Sequence, residues 1–235
     1  MRILTVISNY NEEHAIVETI KDVRNNSPLK SDLLVIDNCS TDESLDIIKS
    51  MDVDFIEHPV NTGGSAGVIK TALAYAHYRN YDIYCHLDGD NQHNAVELGN
   101  LIRPLIEEGT ADIVVGSRFI EKQGFQSLFL RRITIYSFSR LLSLVTGTRS
   151  TDFTSGFRAY NKRAINFFAT QFSHEIETPA QLELLIHYSG LRKTEVPVTM
   201  KPRKTGKSEI NFKNAVKFPI YNIISIIGTL INRLY

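Results

Sequence analysis

Short runs of β-branched and apolar residues alternate with longer stretches of helical periodicity through the first half of the chain. The apolar runs predict five strands, at Arg2–Ser8, Asp32–Asp37, Val53–Glu57, Ile83–Asp88 and Asp112–Gly116. The periodic stretches predict helices at Glu12–Asn25, Glu43–Met51, Ser65–Tyr78 and Ala95–Glu107, with Asn11 and Ser40 or Thr41 as N-caps. This alternation favours an α/β fold with a mostly parallel, Rossmann-like sheet between two layers of helices.

The pattern changes after about Gly116. A long apolar and basic stretch, Ser127–Val145, precedes a Gly- and Ser-containing segment, Asp152–Tyr160, which we expect to turn into a strand. The remaining predicted elements are a helix at Thr178–Tyr188, a strand at Thr194–Thr199, a basic loop at Lys201–Lys207 and an apolar helix from about Phe212.

Composition narrows the class of protein. Apolar residues make up 43% of the 235 residues, which is enough for a sizeable core. The 26 basic residues equal the 26 acidic ones, and this balance argues against a nucleic-acid binder, which usually has a basic excess. Cys39 and Cys85 form no disulfide or metal framework and fit a reducing compartment. We find no leader pattern, and no apolar stretch reaches the roughly 20 residues that span a bilayer.

Ligands of such sheets bind at the carboxyl ends of the strands, and polar residues follow three of the predicted strands. These segments are Asn9–Glu13, Asp37–Asp42 and Asp88–His93. Asp88 and Asp90 stand on either side of Gly89 and can point at one centre. Oxygen ligands of this kind suit Mg²⁺ or Mn²⁺, which can stabilise a departing diphosphate. The alternative is a solvated acidic turn at a strand end.

Two further features fit a phosphate-containing ligand. Asp37 ends the second predicted strand, where a carboxylate can accept hydrogen bonds from a ribose or a base N–H. Its alternative role is to cap the following turn together with Ser40, Thr41 and Asp42. The glycine-containing run Asn61–Gly67 precedes a helix and allows backbone N–H groups to approach an anion, although such turns are common.

Several motifs occur together and in order along the chain. They are Tyr10–Glu13, Val35–Asp42, Asn61–Gly64, Asp88–His93, Gly116–Arg118 and Asp152–Arg158. This set resembles the family-2 glycosyltransferases of the GT-A fold, and within them the dolichyl- or polyprenyl-phosphate sugar synthases. The resemblance runs from Ile3 to about Ser208. It implies a GT-A domain over residues 1–210, with a nucleotide-sugar-binding half at 1–95 and an acceptor half at 96–210.

The resemblance also implies roles for individual residues. Tyr10, Glu12 and Asp37 are expected at the nucleoside; Asp88, Asp90 and Gln92 at the metal and diphosphate; Gly89 and Arg158 at the substrates; Arg118 at the phosphates; and Arg203, assisted by Lys207, in a basic loop that closes over the site. Of these, Asp90, Arg118 and Arg203 are the expected catalytic residues. Asn38 and Cys39 replace the usual Asp and Gly, and the expected acidic residue of the late helix could be Glu183, Glu177 or neither.

The acceptor follows from the kind of nucleophile that the residues can serve. A sugar hydroxyl needs a general base, whereas a phosphate monoester is already anionic and needs positioning by cations. Arginines are frequent in the second half, and Asp152 is the one candidate base that we identify. We therefore expect an inverting hexosyltransferase that uses a polyprenyl phosphate. The alternatives are transfer to a hydroxyl of a growing polysaccharide and a non-catalytic nucleotide-sugar-binding subunit.

The C-terminal segment, residues 211–235, predicts an amphipathic helix. Its polar residues form one narrow stripe, made of Asn222, Ser225, Thr229 and Asn232, and isoleucines and leucines cover the rest. We expect it to lie in a membrane interface, or else to pack on its own domain or on a second subunit as a homo-oligomer contact. The expected location is cytoplasmic, peripheral on the inner face of the membrane.

Overall fold

The computed structural model describes residues 1–107, 109–121, 129–171, 178–203 and 212–232. Within these ranges the chain forms seven strands and eight α-helices. In order they are β1 (Ile3–Asn9), α1 (Ile16–Asn26), β2 (Asp32–Asp37), α2 (Ser44–Ser50), β3 (Asp54–Glu57), α3 (Ser65–Tyr78), β4 (Ile83–Asp88), α4 (Leu98–Ile106), β5 (Ile113–Ser117), α5 (Phe129–Thr146), β6 (Arg158–Asn161), α6 (Lys162–Gln171), α7 (Pro179–Tyr188), β7 (Lys193–Pro197) and α8 (Phe212–Asn232). A 3₁₀ turn at Ala95–Glu97 precedes α4.

The strands form one sheet in the order β3-β2-β1-β4-β6-β5-β7, which confirms the predicted mostly parallel α/β architecture. Only β6 runs antiparallel to its neighbours within the described residues. The register places Asn9 beside Asp37 and Ser8 beside Asp88. The carboxyl ends of β1, β2 and β4 therefore meet at one edge, as ligand-binding edges of such sheets do.

Both faces of the sheet are buried, which explains why the central strands read as nearly continuous apolar runs. Ile7 and Val35 face a core that contains residues of α1 and α4, such as Ile20 and Leu101. Val6, on the opposite face of β1, belongs to a second core with residues of α3 and α6. These two layers hold the strand ends in fixed relative positions.

The predicted N-caps of the first two helices are wrong. Helix α1 begins only at Ile16, and neither α1 nor α2 has a side-chain cap. Asn11 instead adopts a left-handed conformation with φ of 54°, and its Oδ1 accepts a hydrogen bond of 2.7 Å from the backbone N–H of Thr41. Ser40 accepts a hydrogen bond of 3.0 Å from the N–H of Asn11. These two hydrogen bonds join the loop after β1 to the loop after β2. The side chains therefore have partners across the sheet edge and do not cap helices.

Helix α8 packs on α7 through the side that carries its polar stripe. The Oδ1 of Asn222 accepts a hydrogen bond of 3.3 Å from the N–H of Ala180, in the first turn of α7. Ile226 and Thr229 are also buried. The opposite side exposes apolar side chains, namely Ile220, Tyr221, Ile223, Ile224, Ile227 and Ile231, to between 46% and 61%. Across the described ranges, every helix falls short of the length or apolarity needed to cross a membrane.

Candidate active site

A pocket of about 510 Å³ opens at the carboxyl ends of β1, β2 and β4. Eight of the residues expected from the sequence line it: Tyr10, Glu12, Asp88, Gly89, Asp90, Gln92, Arg118 and Arg203. The first turn of α3 and the segment Thr154–Gly156 form further parts of its wall. The structure thus brings together most of the expected site residues from four separate parts of the chain.

Asp88 ends β4 and is held between two imidazoles. His86 Nε2 and His93 Nε2 each lie 3.7 Å from one of its carboxylate oxygens. The backbone N–H of Asp88 donates to His93 Nδ1 at 3.0 Å, so the neutral form of His93 carries its proton on Nε2, towards the carboxylate. Desolvation would raise the pKa of Asp88, but His86 and His93 outweigh it and hold this pKa well below its usual range. The carboxylate is therefore charged at neutral pH.

Asp90 lies beside this charge in a more buried position. Burial raises the pKa of Asp90, and the carboxylate of Asp88 raises it further. The Oδ1 of Asp90 accepts a hydrogen bond of 3.0 Å from the N–H of Gln92, which fixes its orientation. Two neighbouring carboxylates that repel each other are the electrostatic setting in which a cation binds favourably. The acidic pair therefore fits a divalent ion by the chemistry of its carboxylate oxygens.

Arg203 lines the pocket and pairs with Glu12. Its Nη2 lies 2.6 and 2.7 Å from the two carboxylate oxygens of Glu12, and its Nη1 lies 3.8 Å from Asp90. Desolvation raises the pKa of Glu12 to about 7; Arg203 opposes this rise, and Asp90 and Asp88 add to it. Arg203 is therefore placed between the expected nucleoside side and the acidic pair.

The base of the loop that carries Arg203 is tied to the acidic segment. The N–H of Lys201 donates to the carbonyl of Gln92 at 2.8 Å, and Gln92 Nε2 donates to the carbonyl of Lys201 at 3.3 Å. Lys201 Nζ also pairs with Asp22 of α1 at 2.8 Å. The side chain of Gln92 thus couples this loop to the Asp88–Asp90 segment. The expected residue Lys207 lies outside the described residues, as does Glu177.

Arg118 follows β5 and also lines the pocket. Its Nε and Nη2 each donate to the carboxylate of Asp152 at 2.6 Å, and Nη2 also donates to the hydroxyl of Thr154 at 2.8 Å. Asp152 is fully buried behind this guanidinium. The prediction of Asp152 as a candidate base is therefore wrong, because its carboxylate binds Arg118 and does not line the pocket.

Asn38, which replaces the aspartate usual in the family, has a structural role of its own. Its Oδ1 accepts from the N–H of Thr62 at 3.1 Å, while its Nδ2 donates to Asn61 Oδ1 at 3.3 Å and to the carbonyl of Gly64 at 3.4 Å. An aspartate could make the first contact but could not donate the other two. The amide therefore anchors the glycine-containing loop before α3 to the end of β2.

Two of the expected substrate-binding residues make internal contacts. Asp37 is fully buried, accepts from Asn9 Nδ2 at 2.7 Å and binds both the N–H and the hydroxyl of Ser40. Asp37 therefore caps the turn after β2, which is the alternative role expected from the sequence. A contact between Asp37 and a ribose or base stays a prediction. Arg158 is 2% exposed, and its guanidinium donates to the carbonyls of Ser155 and Phe153 at 2.7 Å. Its direct contact with substrate also stays untested.

Two glycines allow close packing at the acidic segment. A Cβ at Gly89 would lie 2.9 Å from the carbonyl oxygen of Ser8. A Cβ at Gly156 would lie 2.9 Å from Asp88 Oδ2. Any side chain at Gly156 would therefore push into the carboxylate, which explains a glycine in this wall of the pocket.

The fold and the pocket define a sugar transferase of the GT-A type, and the comparisons with known proteins agree. The chain belongs to glycosyl transferase family 2, whose family model matches residues 5–168. It is 28% identical to the undecaprenyl-phosphate mannosyltransferase of Micrococcus luteus, over 90% of this chain and 88% of that protein. It is 26% identical to a UDP-N-acetylglucosamine–dolichyl-phosphate N-acetylglucosaminyltransferase of Methanococcus voltae, over 83% of this chain and 84% of that one.

Among solved structures, the chain resembles glucosyl-3-phosphoglycerate synthase from Mycobacterium tuberculosis in complex with Mn²⁺ and uridine-diphosphate-glucose. The TM-score is 0.69 at 16% identity, and the match covers 97% of this chain and 78% of that chain. At this identity the likeness establishes the shared fold.

Sequence reasoning missed a group of buried charges behind the pocket wall. Lys193 and Glu195 lie on β7, and both side chains are almost fully buried. They are two residues apart and therefore share one face of the strand, so charged residues on that face were the available signal. Glu183 on α7 belongs to the same group, since it pairs with Lys193 and with Arg158.

Proposed function

We propose that this chain transfers a hexose from a nucleotide-sugar to a polyprenyl phosphate, with inversion at the anomeric carbon. The observation that carries the proposal is the Arg118–Asp152 pair. The wall of the pocket presents a guanidinium where a hydroxyl acceptor would need a base, because Asp152 is buried behind it. A phosphate monoester is an anionic nucleophile that needs a guanidinium to hold it and no base to activate it.

The donor fits the other half of the pocket. Tyr10 and Glu12 follow β1 and would border the nucleoside, while the diphosphate would lie over Asp88 and Asp90. Arg203, once released from Glu12, reaches the same phosphates because it already lies 3.8 Å from Asp90. This order of contacts, from nucleoside to diphosphate, would leave the sugar towards Thr154–Gly156, which lines the same pocket.

Asp88, Asp90 and Gln92 would hold a divalent cation, Mg²⁺ or Mn²⁺. In the described part of the chain no three His, Cys, Asp or Glu side chains are arranged to hold a metal by themselves, so the donor's phosphate oxygens would complete the set. When bound, the ion supplies neutralisation of the charge that develops on the departing diphosphate. The Mn²⁺ complex of the M. tuberculosis synthase supports a divalent ion in this fold.

The chain's own residues act mainly by positioning the acceptor phosphate and the leaving group. Arg118 holds the acceptor phosphate so that one of its oxygens attacks the anomeric carbon on the face opposite the diphosphate. The new carbon–oxygen bond forms as the bond to the diphosphate breaks, and the nucleoside diphosphate leaves with the electron pair. Arg203 faces the leaving group and stabilises its charge. Attack from the opposite face inverts the anomeric configuration.

We further propose that the chain works peripherally on the inner face of a membrane. The exposed isoleucine side of α8 supports this location, because an apolar helix face of this kind inserts shallowly into a lipid interface. We also propose that residues 1–95 bind the nucleotide-sugar and that residues 96–210 bind the acceptor. Residues 211–235 form a separate segment that contacts the membrane. A homo-oligomer through α8 is the competing use of that face.

The test uses purified chain with labelled UDP-, GDP- and dTDP-hexoses, Mn²⁺ or Mg²⁺, and undecaprenyl phosphate. Undecaprenol, which lacks the phosphate, is the matched acceptor control. Label should enter the phosphate lipid alone, and Asp90→Ala and Arg118→Gln should abolish it. Arg192→Gln is the matched variant, since Arg192 also pairs with a buried aspartate but at the far end of β5. Label in a glycan without lipid phosphate would favour the polysaccharide alternative, and nucleotide binding without turnover would favour the non-catalytic one.

A further inference from the structure

Four charged side chains form a buried network behind the segment Thr151–Gly156. Arg158, Glu183, Lys193 and Glu195 have side-chain exposures between 2% and 6%. Lys193 Nζ bonds to Glu183 and lies 3.7 Å from Glu195, and Arg158 lies 3.5 Å from the other oxygen of Glu183. Two acids alternate with two bases, so the network carries no net formal charge into the interior.

The two ends of the network hold the backbone of the segment. Glu195 accepts hydrogen bonds of 2.9 Å from the N–H of Thr151 and 3.4 Å from the N–H of Asp152, and it also binds the Thr151 hydroxyl. Arg158 donates to the carbonyls of Phe153 and Ser155 at 2.7 Å. Charged groups therefore satisfy backbone atoms of four of the segment's residues.

This segment carries the parts of the pocket wall that face the proposed acceptor. Asp152 makes the bidentate contact that orients Arg118, and Thr154 binds the same guanidinium. Gly156 lies against the carboxylate of Asp88. A shift of the segment would move the guanidinium and the acidic pair relative to each other.

We propose that the buried network is a positioning device that sets Arg118 at the distance from Asp88 needed for transfer. Glu183, Lys193 and Glu195 are positioning residues and touch no substrate. A buried ion network adds little stability compared with well-packed apolar residues, so a geometric role accounts better for its presence. The identity of the acceptor rests on the proposed function, but the positioning of Arg118 does not.

The first test is Glu195→Gln, which removes the charge and keeps the shape. We expect the turnover number to fall about 10- to 100-fold, as small displacements of reacting groups do, while the dissociation constant of UDP or GDP changes by less than about twofold. The matched control is Asp112→Asn. Asp112 is also buried and paired with arginines, Arg192 and Arg163, but it lies at the far end of β5. It should lower thermal stability without changing turnover.

A milder pair of variants decides the question if Glu195→Gln does not fold. Thr151→Val removes one hydroxyl, which bonds to Glu195 and also to Ser117, and keeps the shape, whereas Thr151→Ser keeps the hydroxyl. We expect the valine variant to lose turnover and the serine variant to keep it. Equal turnover in Thr151→Val, Thr151→Ser and wild type would overturn the proposal, as would an effect of Asp112→Asn equal to that of Glu195→Gln.

A readout without substrate separates this proposal from the proposed function. The Arg118 Nε–H is held by Asp152, so its hydrogen exchange in NMR spectra should be slow in the wild type. Exchange should be faster in Glu195→Gln and unchanged in Asp112→Asn. If the wild type forms no glycolipid, the proposed function fails while this exchange result still judges the network. Unchanged exchange in Glu195→Gln refutes the positioning role whatever the acceptor.

Discussion

Replacing Glu12 with glutamine is expected to flatten the decline of stability as the pH rises. The pKa of Glu12 is raised from 4.5 to about 7, first by desolvation and then by Asp90 and Asp88, against the opposing effect of Arg203. The unfolded chain therefore loses this proton at a lower pH than the folded chain. The stability that the neutral carboxyl contributes is fully present below about pH 4.5 and is lost as the pH passes through about 7.

The magnitude follows from the size of the shift. A rise from 4.5 to about 7 corresponds to at most about 3 kcal/mol, and solvent in an open pocket reduces this to about 1–2 kcal/mol. Between about pH 5 and pH 8, the wild type should therefore lose about 1–2 kcal/mol more unfolding free energy than Glu12→Gln. Contributions from the other titrating groups largely cancel in this comparison.

The assay is urea unfolding of both proteins at several pH values, followed by circular dichroism. A chelator should be present, because a bound cation would lower the pKa of Glu12. Glu13→Gln is a suitable control, since Glu13 is the neighbouring carboxylate and does not pair with Arg203 among the described contacts. A pH-independent difference between wild type and Glu12→Gln would refute the reasoning. A difference of opposite sign would show that the pairing with Arg203 outweighs desolvation.

Three other predictions concern the pocket wall, the donor loop and α8. Asp152→Asn should cost about 3 kcal/mol in urea unfolding and abolish glycolipid formation, because it leaves the Arg118 guanidinium without its bidentate partner; wild-type stability and turnover together would contradict this. Asn38→Asp should weaken UDP or GDP binding about tenfold in calorimetry, since the carboxylate cannot donate to the glycine-containing loop; an unchanged affinity would argue against that anchor. Ile224→Glu should abolish co-sedimentation with anionic vesicles and leave the circular dichroism spectrum unchanged, because this side chain is 61% exposed; retained vesicle binding together with loss of a dimer in ultracentrifugation would favour the oligomer.

The strands and their carboxyl-end residues were predictable because burial on both faces leaves a local signature. Each central strand is an apolar run that stops at a polar residue, and Asp88 marks the end of such a run. Asp32–Asp37 and Ser65–Tyr78 match the predicted bounds. The parallel order then places the ends of these strands together without further information.

The use of individual polar side chains was not predictable, because their partners are distant in the chain. Asn11 was expected to cap a helix but binds Thr41, 30 residues away. Asp152 was a candidate base until the structure placed Arg118, 34 residues earlier, against it. The residues adjacent to a carboxylate in the sequence do not show whether it faces a substrate or a buried guanidinium.

The terminal helix shows the same limit. Its spacing predicted a narrow polar stripe, but spacing does not say which side of a helix faces the protein. The stripe faces inward, where Asn222 accepts a hydrogen bond from the N–H of Ala180 in the first turn of α7. The isoleucines on the opposite side are exposed.

The central claim is that an oxygen of a lipid phosphate, oriented by Arg118, attacks the anomeric carbon of the sugar. NMR of the lipid product made from a ¹³C-labelled donor tests it most directly. We predict coupling between the anomeric carbon and phosphorus, with an anomeric configuration opposite to that of the donor. A product without this coupling, or one that retains the donor's configuration, would contradict the account.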